Sequence, residues 1–282
     1  MRNIFGKNVT DDKNPVYDGE AAFLRQRVPA EQQAVLEEQA DRLTASVKKM
    51  VCLPLVIVQV VAVIVGFICL RVFLNLWTDE DVLLWWLLAV AVVCFAAFAV
   101  LLWGNKKRRE SVEQSDDYQT LTTQMEAASM GSRALLGIPA DAADIEVLGY
   151  DYEMKNGKEK RTDSNWEYDT CCFYAFAQEG ELFLADNVNK FAISLAAVTA
   201  VRRRMGKTKV FMWLKDEEPK SAAYKPYKVK YDEDRNVYTL PAVVVLEIAH
   251  GEATYQLVLP EYEWERVLQP LVGGAVPALT EE

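Results

Sequence analysis

Two long apolar segments, separated by a short polar link, constrain this sequence more than any other feature. They run over residues 50–73 and 82–103. At about 1.5 Å of rise per residue, each would form a helix of roughly 33 to 36 Å, longer than the hydrocarbon core of a bilayer at about 30 Å. Core helices of soluble proteins rarely stay apolar on every side over such a length. The pattern predicts a transmembrane helical hairpin over residues 50–104, with a pair of buried core helices as the alternative.

Basic residues flank the two apolar segments on one side only. Lys48 and Lys49 precede the first segment and four basic residues, 106–109, follow the second. The link, residues 74–81, contains acidic residues and no basic one. Because basic residues stay on the cytoplasmic side of a membrane, the link is expected outside and both termini in the cytoplasm. The predicted location is the cell membrane, in a multi-pass topology.

The polar segments next to the hairpin, residues 29–49 and 105–133, are rich in helix-forming residues. Each carries an apolar stripe at helical spacing. The stripes are Leu36, Ala40, Leu43 and Val47 in the first segment, and Val112, Tyr118, Leu121, Met125 and Ala128 in the second. We expect cytoplasmic helical extensions, 29–49 as an amphipathic helix and 105–133 as a helix and linker, packed stripe against stripe. The alternatives are helices that lie on the membrane or on the soluble domain.

The two ends of the chain look unstructured in the sequence. Residues 1–28 contain several turn-forming residues and few apolar ones, which predicts a flexible N-terminal tail. Residues 273–282 are predicted to be a disordered tail. The soluble domain is therefore expected over residues 134–272.

Within residues 134–272 the apolar period changes from helical to alternating, which predicts a series of antiparallel strands. Asn156 and Gly157 predict one hairpin turn. Met205 and Gly206 predict another, between strands over 198–204 and 208–214. After Pro260, the residues Trp264, Val267, Leu268 and Leu271 repeat at helical spacing and predict a C-terminal amphipathic helix.

One passage of this domain, residues 180–204, carries a regular set of apolar positions. These are Leu182, Phe183, Leu184, Phe191, Ile193, Leu195, Val198 and Val201. This passage resembles the bacterial membrane-anchored PH-like (pleckstrin-homology and GRAM-like) domains, and so does the order of strands closed by one helix. In that family the domain is often tethered beside a two-span hairpin. The resemblance covers roughly residues 140–272.

The resemblance implies a PH-like antiparallel β barrel or sandwich capped by a C-terminal helix. The alternative is a small β barrel or sandwich of another type. The predicted fold class is thus an α+β membrane protein, with a transmembrane helical hairpin and cytoplasmic helical extensions before the PH-like domain. PH-like folds bind lipids, peptides or nothing known, so the fold does not by itself assign a function.

Patterns that mark catalysis or metal binding are missing from the sequence. The single histidine, His250, excludes histidine triads and multi-histidine metal sites. The string Gly206, Lys207, Thr208 lacks the glycine five residues earlier that a P-loop needs. The five cysteines form no CxxC pattern. We predict no enzyme, no cofactor and no metal site, although a catalytic carboxylate pair would leave no mark in the sequence.

Two basic clusters are the candidate binding residues, for anionic lipid headgroups or a partner protein. They are Arg202, Arg203, Arg204, Lys207 and Lys209, and then Lys225, Lys228 and Lys230. Each basic side chain near an anionic leaflet contributes about 1 kcal/mol. The alternative is an ordinary solvated surface that balances the many carboxylates. The chain is acidic, with a formal net charge of −10, which argues against nucleic acid as a partner.

The function predicted from these features is non-catalytic. The chain would be an integral membrane protein presenting a cytoplasmic PH-like interaction domain that binds a partner protein or anionic lipid headgroups. The alternative is an accessory or oligomeric subunit of a membrane transport or channel assembly. The expected partners are the lipid bilayer, anionic headgroups, and a membrane protein or further copies of the chain.

Overall fold

The computed structural model describes residues 1–10, 15–50, 52–80 and 84–281. One residue of the first apolar segment, the end of the predicted link, the start of the second apolar segment and small parts of both predicted tails lie outside the described residues. The chain divides into two compact units. We call Met1–Pro29 together with Gly131–Glu282 the β unit, and Ala30–Met130 the helical unit.

Seven α-helices are described. They are α1 (Glu20–Phe23), α2 (Ala30–Met50), α3 (Leu53–Glu80), α4 (Trp85–Glu113), α5 (Asp116–Leu136), α6 (Glu261–Glu263) and α7 (Gln269–Val272). A π-helical turn, Trp264–Leu268, joins α6 to α7.

Thirteen strands are described. They are β1 (Arg2–Asn3), β2 (Gly6–Asn8), β3 (Leu24–Arg27), β4 (Ala143–Lys155), β5 (Lys158–Arg161), β6 (Tyr168–Gln178), β7 (Glu181–Ala185), β8 (Asn189–Ser194), β9 (Val198–Phe211), β10 (Lys230–Asp232), β11 (Val237–His250), β12 (Ala253–Pro260) and β13 (Leu279–Glu281).

The helices α3 and α4 form a hairpin of two long apolar rods. The inner face of α3 repeats every seven residues at Gln59, Gly66 and Phe73, the spacing of a coiled-coil seam. A side chain at Gly66 would meet Cys94 and Phe95 at 3.3 Å, so glycine permits the close approach of the two helices. The most apolar windows have mean hydropathies of 2.9 and 2.7, yet only 12% and 11% of their residues are buried. Both helices are long and apolar enough to cross a membrane, and their apolar surface faces outward.

Polar helices adjoin this hairpin, as the sequence predicts. In α2, Leu36 is buried and Leu43 half-buried, whereas Ala40 and Val47 are exposed, so half of the predicted stripe is wrong. The less exposed positions of α2 follow one another at alternating intervals of three and four residues, and Ser46 is one of them. Because some of these positions are polar, a search for apolar residues alone does not find this face. The second predicted stripe, from Val112 of α4 to Ala128 of α5, is half-buried throughout. The Gln32 side chain donates a 2.9 Å hydrogen bond to the Ala128 carbonyl.

The β unit is a curled, open sheet. Its main path runs β1-β12-β11-β9-β6-β7-β8-β3, and β4 pairs with β6, β2 and β5. One core lies between the sheet and the C-terminal helical segment, which contributes Trp264, Leu268 and Val272. This confirms the buried face predicted for that segment. A second core, centred on Tyr238 and Tyr262, lies under the insertion after β9.

The N-terminal segment corrects the prediction of a flexible tail over residues 1–28. Strand β1 pairs with β12, β2 with β4, and β3 with β8. Ile4 and Phe5 are 0% and 1% exposed, within the first core. Gly149 makes room for this segment, because a Cβ there would lie 2.4 Å from the Phe5 carbonyl oxygen. A few well-placed apolar residues anchor the segment, although its average composition is that of a tail.

Two further predictions differ from the structure. The predicted turn at Met205 and Gly206 is absent, because β9 continues as one strand to Phe211. The pairing of β9 with β11 is irregular there: Thr208 pairs with Leu240 and Met205 with Ala242. The predicted disordered tail 273–282 contains β13, which pairs in parallel with β9.

Candidate interaction sites of the β unit

The three predicted arginines each have a partner inside the β unit. The pairs are Arg202 Nε with Glu247 (3.0 Å), Arg203 Nη2 with Glu261 (2.6 Å), Arg203 Nη1 with Glu281 (3.4 Å), and Arg204 Nη2 donating to the Tyr168 hydroxyl (3.0 Å). All three arginines are half-buried. Glutamates of the protein therefore balance the charges of Arg202 and Arg203, whereas Arg204 is held by a neutral hydroxyl. Arg202 and Arg203 are weaker candidates for an external anion than the sequence suggests.

Two of the predicted lysines come together across three neighbouring strands. Lys230 of β10 pairs with Thr239 of β11, and Thr239 pairs with Lys209 of β9. Residues in such a row project from the same face of a sheet. Lys209 and Lys230 are exposed and line a concavity of 630 Å³. We call this the lysine concavity.

Aromatic residues and a further cation complete the lysine concavity. The rings of Trp166 and Phe211 stack with centroids 4.4 Å apart and an interplanar angle of 16°. Arg235 also lines it and lies 3.8 Å from Asp232, the one acidic residue of the lining. Three cations against one carboxylate favour an anionic ligand, and the rings offer apolar contact. Sequence reasoning missed Trp166 and Arg235, because they lie outside the strands and only the tertiary fold brings them beside the lysines.

The remaining predicted lysines do not join this site. Lys207, Lys225 and Lys228 are exposed and do not line the lysine concavity. Lys225 and Lys228 belong to the insertion between β9 and β10, where Lys225 begins a short 3₁₀ turn. The structure therefore divides the eight predicted binding residues into a paired arginine group, two lysines of one concavity, and three separate lysines.

A buried acidic cluster is the feature that the sequence left unmarked. Glu146 of β4 and Glu263 of α6 are each 1% exposed. Lys215 Nζ lies 2.6 Å from Glu263 Oε1, and the Tyr262 hydroxyl donates a 2.8 Å hydrogen bond to Glu146 Oε2. Burial raises the pKa of Glu263 to about 7, although Lys215 opposes this shift, and burial also raises the pKa of Glu146. The two glutamates are 117 positions apart, and each sits in an ordinary-looking sequence context.

Two adjacent cysteines of β6 and the single histidine are further residue types that can carry chemistry. Burial raises the pKa of Cys171 to about 12 and that of Cys172 to about 11, so neither thiol is a thiolate at neutral pH. The ring of His250 packs against Phe23 with centroids 5.4 Å apart. Within the described ranges, no three histidine, cysteine or acidic side chains are grouped so that they could hold a metal ion.

Comparisons with protein families, curated proteins and solved structures find no match for this chain. The class defined by the structure is a two-unit α+β chain, with two long apolar helices in one unit and a curled open sheet in the other.

Proposed function

We propose that this chain is an integral membrane protein whose apolar hairpin spans the bilayer and whose β unit presents a cytoplasmic interaction surface. One observation supports membrane insertion most strongly: only 12% and 11% of the residues in the most apolar windows of the two helices are buried. Exposing a Val, Leu or Ile side chain to water costs about 1.5 to 3 kcal/mol. Residues such as Ile57, Val93 and Val100 are 55%, 66% and 65% exposed, and a lipid environment removes this cost.

The ends of the hairpin support the same proposal. Trp77, Trp85 and Trp86 are at least half exposed near one end, and Trp103 is 66% exposed near the other. Tryptophan favours the two membrane interfaces. Lys107 lies 5.4 Å from the Trp103 ring. The basic residues 106–109 therefore begin next to this tryptophan, at the end of the hairpin where the cytoplasmic interface is expected.

For the β unit we propose a non-catalytic role, the binding of an anionic group in the lysine concavity. The charge of Lys209, Lys230 and Arg235 and the stacked rings support an anionic lipid headgroup as the ligand. An acidic segment of a partner protein would offer the same charge.

Alkaline carbonate extraction tests membrane integration. We expect the full chain to stay with the membrane pellet, because hydrophobic insertion survives conditions that release peripheral proteins. Recovery in the soluble fraction would contradict the proposal.

A second experiment tests the lysine concavity. The full-length protein in detergent micelles is titrated with short-chain phosphatidylglycerol, and with short-chain phosphatidylcholine as the neutral comparison, by calorimetry. Replacing Lys209 and Lys230 by alanine should weaken phosphatidylglycerol binding roughly 30-fold, since each lysine contributes about 1 kcal/mol.

The matched control replaces Lys158 and Lys160 on β5, which are exposed and do not line the lysine concavity. This control makes the same change in net charge. Equal weakening by both double variants would show a general charge effect and would refute a site at the lysine concavity.

A further inference from the structure

One of the two edges of β9 is only partly paired. The first edge pairs with β11 along nearly its whole length. On the second edge, β13 pairs with residues 201–203 and β6 with residues 210–211. Among the described residues, no strand pairs with this second edge over residues 204–208. We call the second edge, over residues 201–208, the β9 edge.

An incompletely paired strand edge is a template for another extended segment. Its free N–H and C=O groups supply affinity, and the side chains along the strand select the partner. The strand β13 shows in which direction the β9 edge accepts such a segment. The two strands are parallel, with Leu279 opposite Val201 and Glu281 opposite Arg203.

Few contacts hold β13 on the β9 edge. All three of its residues are exposed. The Thr280 hydroxyl donates a 3.2 Å hydrogen bond to the Val201 carbonyl, and Glu281 Oε1 lies 3.4 Å from Arg203 Nη1. The Glu281 side chain is 80% exposed, and ion pairs in water contribute little to stability. Because three residues make few backbone hydrogen bonds to offset the entropy lost on ordering them, β13 can exchange with another segment.

Release of β13 would leave the core of the β unit intact. Val276 is half-buried and packs against the first core, whereas residues 277–281 are exposed. Movement of the segment after Val276 is therefore enough to free the β9 edge, and no buried side chain has to leave the core.

The charge of β9 favours an acidic segment. The strand contains five basic residues and no acidic one. Arg202 and Arg203 each contact a glutamate of the β unit, but Arg203 also takes a second carboxylate, that of Glu281. Lys207, further along the edge, is exposed. Acidic side chains therefore complement this edge, and basic ones would be repelled.

We propose that the β9 edge binds an extended acidic segment of a partner protein, which adds as a parallel strand and sets a carboxylate against Arg203. In the free protein β13 occupies the start of this edge, and the partner displaces it. Pairing over residues 204–208 gives the partner backbone hydrogen bonds that β13 does not make, which favours the exchange. This site is separate from the lysine concavity and does not depend on anion binding there.

The test measures peptide binding to the full-length protein in detergent micelles by fluorescence anisotropy. The probe is a fluorescein-labelled peptide of sequence VPALTETVT, which repeats residues 276–281 and adds three residues that reach beyond Arg203. The control peptide, VPALTKTVT, has lysine at the position of Glu281. We expect the probe to bind saturably and the control peptide to bind about threefold or more weakly, because its lysine cannot pair with Arg203.

Variants show whether the probe competes with β13. The N–H groups of neighbouring strand residues point to opposite sides, so the double change Leu279→Pro and Thr280→Pro must remove a bond to β9. This variant should bind the probe about tenfold more tightly, if β13 occupies the edge about nine-tenths of the time. The matched control, Leu279→Val with Thr280→Val, keeps both N–H groups and should bind within about twofold of the unchanged protein. Circular dichroism checks that both variants are folded.

Hydrogen–deuterium exchange of the unchanged protein is a second measurement that needs no variant. Saturating probe should speed the exchange of the backbone amides of residues 279–281 and slow that of residues 204–208. Unchanged exchange at residues 279–281 would overturn the proposal.

The peptide measurements can also overturn it. The proposal is wrong if the probe does not bind saturably at concentrations up to about 1 mM, the range of weak ligands. It is wrong too if the double-proline variant is folded but binds the probe no more tightly than the unchanged protein. Equal binding of the probe and the control peptide would refute an acidic segment as the partner.

Discussion

Replacing Phe5 by alanine should destabilise the β unit strongly, although Phe5 lies in a segment that looks like a tail. Its ring is 1% exposed and lies 4.5 Å from Phe173, 5.4 Å from Phe191 and 5.2 Å from Tyr17, measured between ring centroids. A buried Phe→Ala change costs about 3 to 5 kcal/mol, from lost apolar burial and the cavity that remains. For a unit of this size the melting temperature should fall by about 6 to 20 °C.

The assay is thermal unfolding of the full-length protein in detergent micelles, followed by near-ultraviolet circular dichroism. Val16→Ala is the matched control, because Val16 is in the same segment and is 54% exposed. It should change the stability by no more than about 0.5 kcal/mol. If Phe5→Ala lowers the melting temperature no more than Val16→Ala does, residues 1–10 are not part of the core.

Two other predictions concern the β unit. Gly149→Ala should lower the free energy of unfolding by about 1 to 3 kcal/mol or more, because its Cβ would lie 2.4 Å from the Phe5 carbonyl oxygen. Gly274→Ala is the control and should leave the stability unchanged, because its Cβ would meet nothing within 4 Å. Both are measured by thermal unfolding, and equal melting temperatures would contradict the packing. Burial raises the Glu263 pKa from 4.5 to about 7, so the folded state keeps a proton that the unfolded chain releases. The stabilisation of the folded state by this proton is fully present below about pH 4.5 and is lost as the pH rises through 7. The free energy of unfolding should therefore fall by about 2 to 3 kcal/mol between pH 5 and 8. Glu263→Gln should remove that part of the pH dependence of the unfolding free energy, and an unchanged pH profile would refute the assignment.

The helical part of the fold could be predicted because it depends on composition over long windows. Two uninterrupted apolar runs leave little choice but long helices, and the structure has them as α3 and α4. Their limits were less accurate. The helix α3 continues through the predicted link as far as Glu80, since nothing in that short polar stretch breaks a helix.

Most strands after residue 140 and the C-terminal helical segment also followed from apolar periodicity, although β9 was predicted as two strands. The N-terminal strands were not predicted. Whether Ile4 and Phe5 are buried depends on partners more than 140 residues away, on β4 and β12. No local pattern records such a contact. The composition of residues 1–28 indicated a tail because few of them are apolar. Two or three buried side chains are nevertheless enough to anchor a short segment on a core that is already formed.

The candidate sites were the least predictable feature. The basic residues could be named, but their partners could not: Arg202 and Glu247 are brought together only by the pairing of β9 with β11. The same pairing, extended to β10, puts Lys209 and Lys230 in one row. The contact between Tyr262 and Glu146 depends on where the final helical segment packs. Sites of this kind are created by tertiary contacts that no spacing in the sequence encodes.

Cysteine accessibility in intact cells tests most directly the proposal that the apolar hairpin spans the membrane. In a variant without the five native cysteines, Thr78→Cys near the end of α3 and Thr123→Cys in α5 are each treated with a membrane-impermeant maleimide. Both positions are exposed. We predict that Thr78→Cys is labelled from outside and that Thr123→Cys is labelled only after the membrane is opened. Labelling of both positions in intact cells, or of neither until the membrane is opened, would contradict a hairpin that crosses the membrane twice with both ends inside.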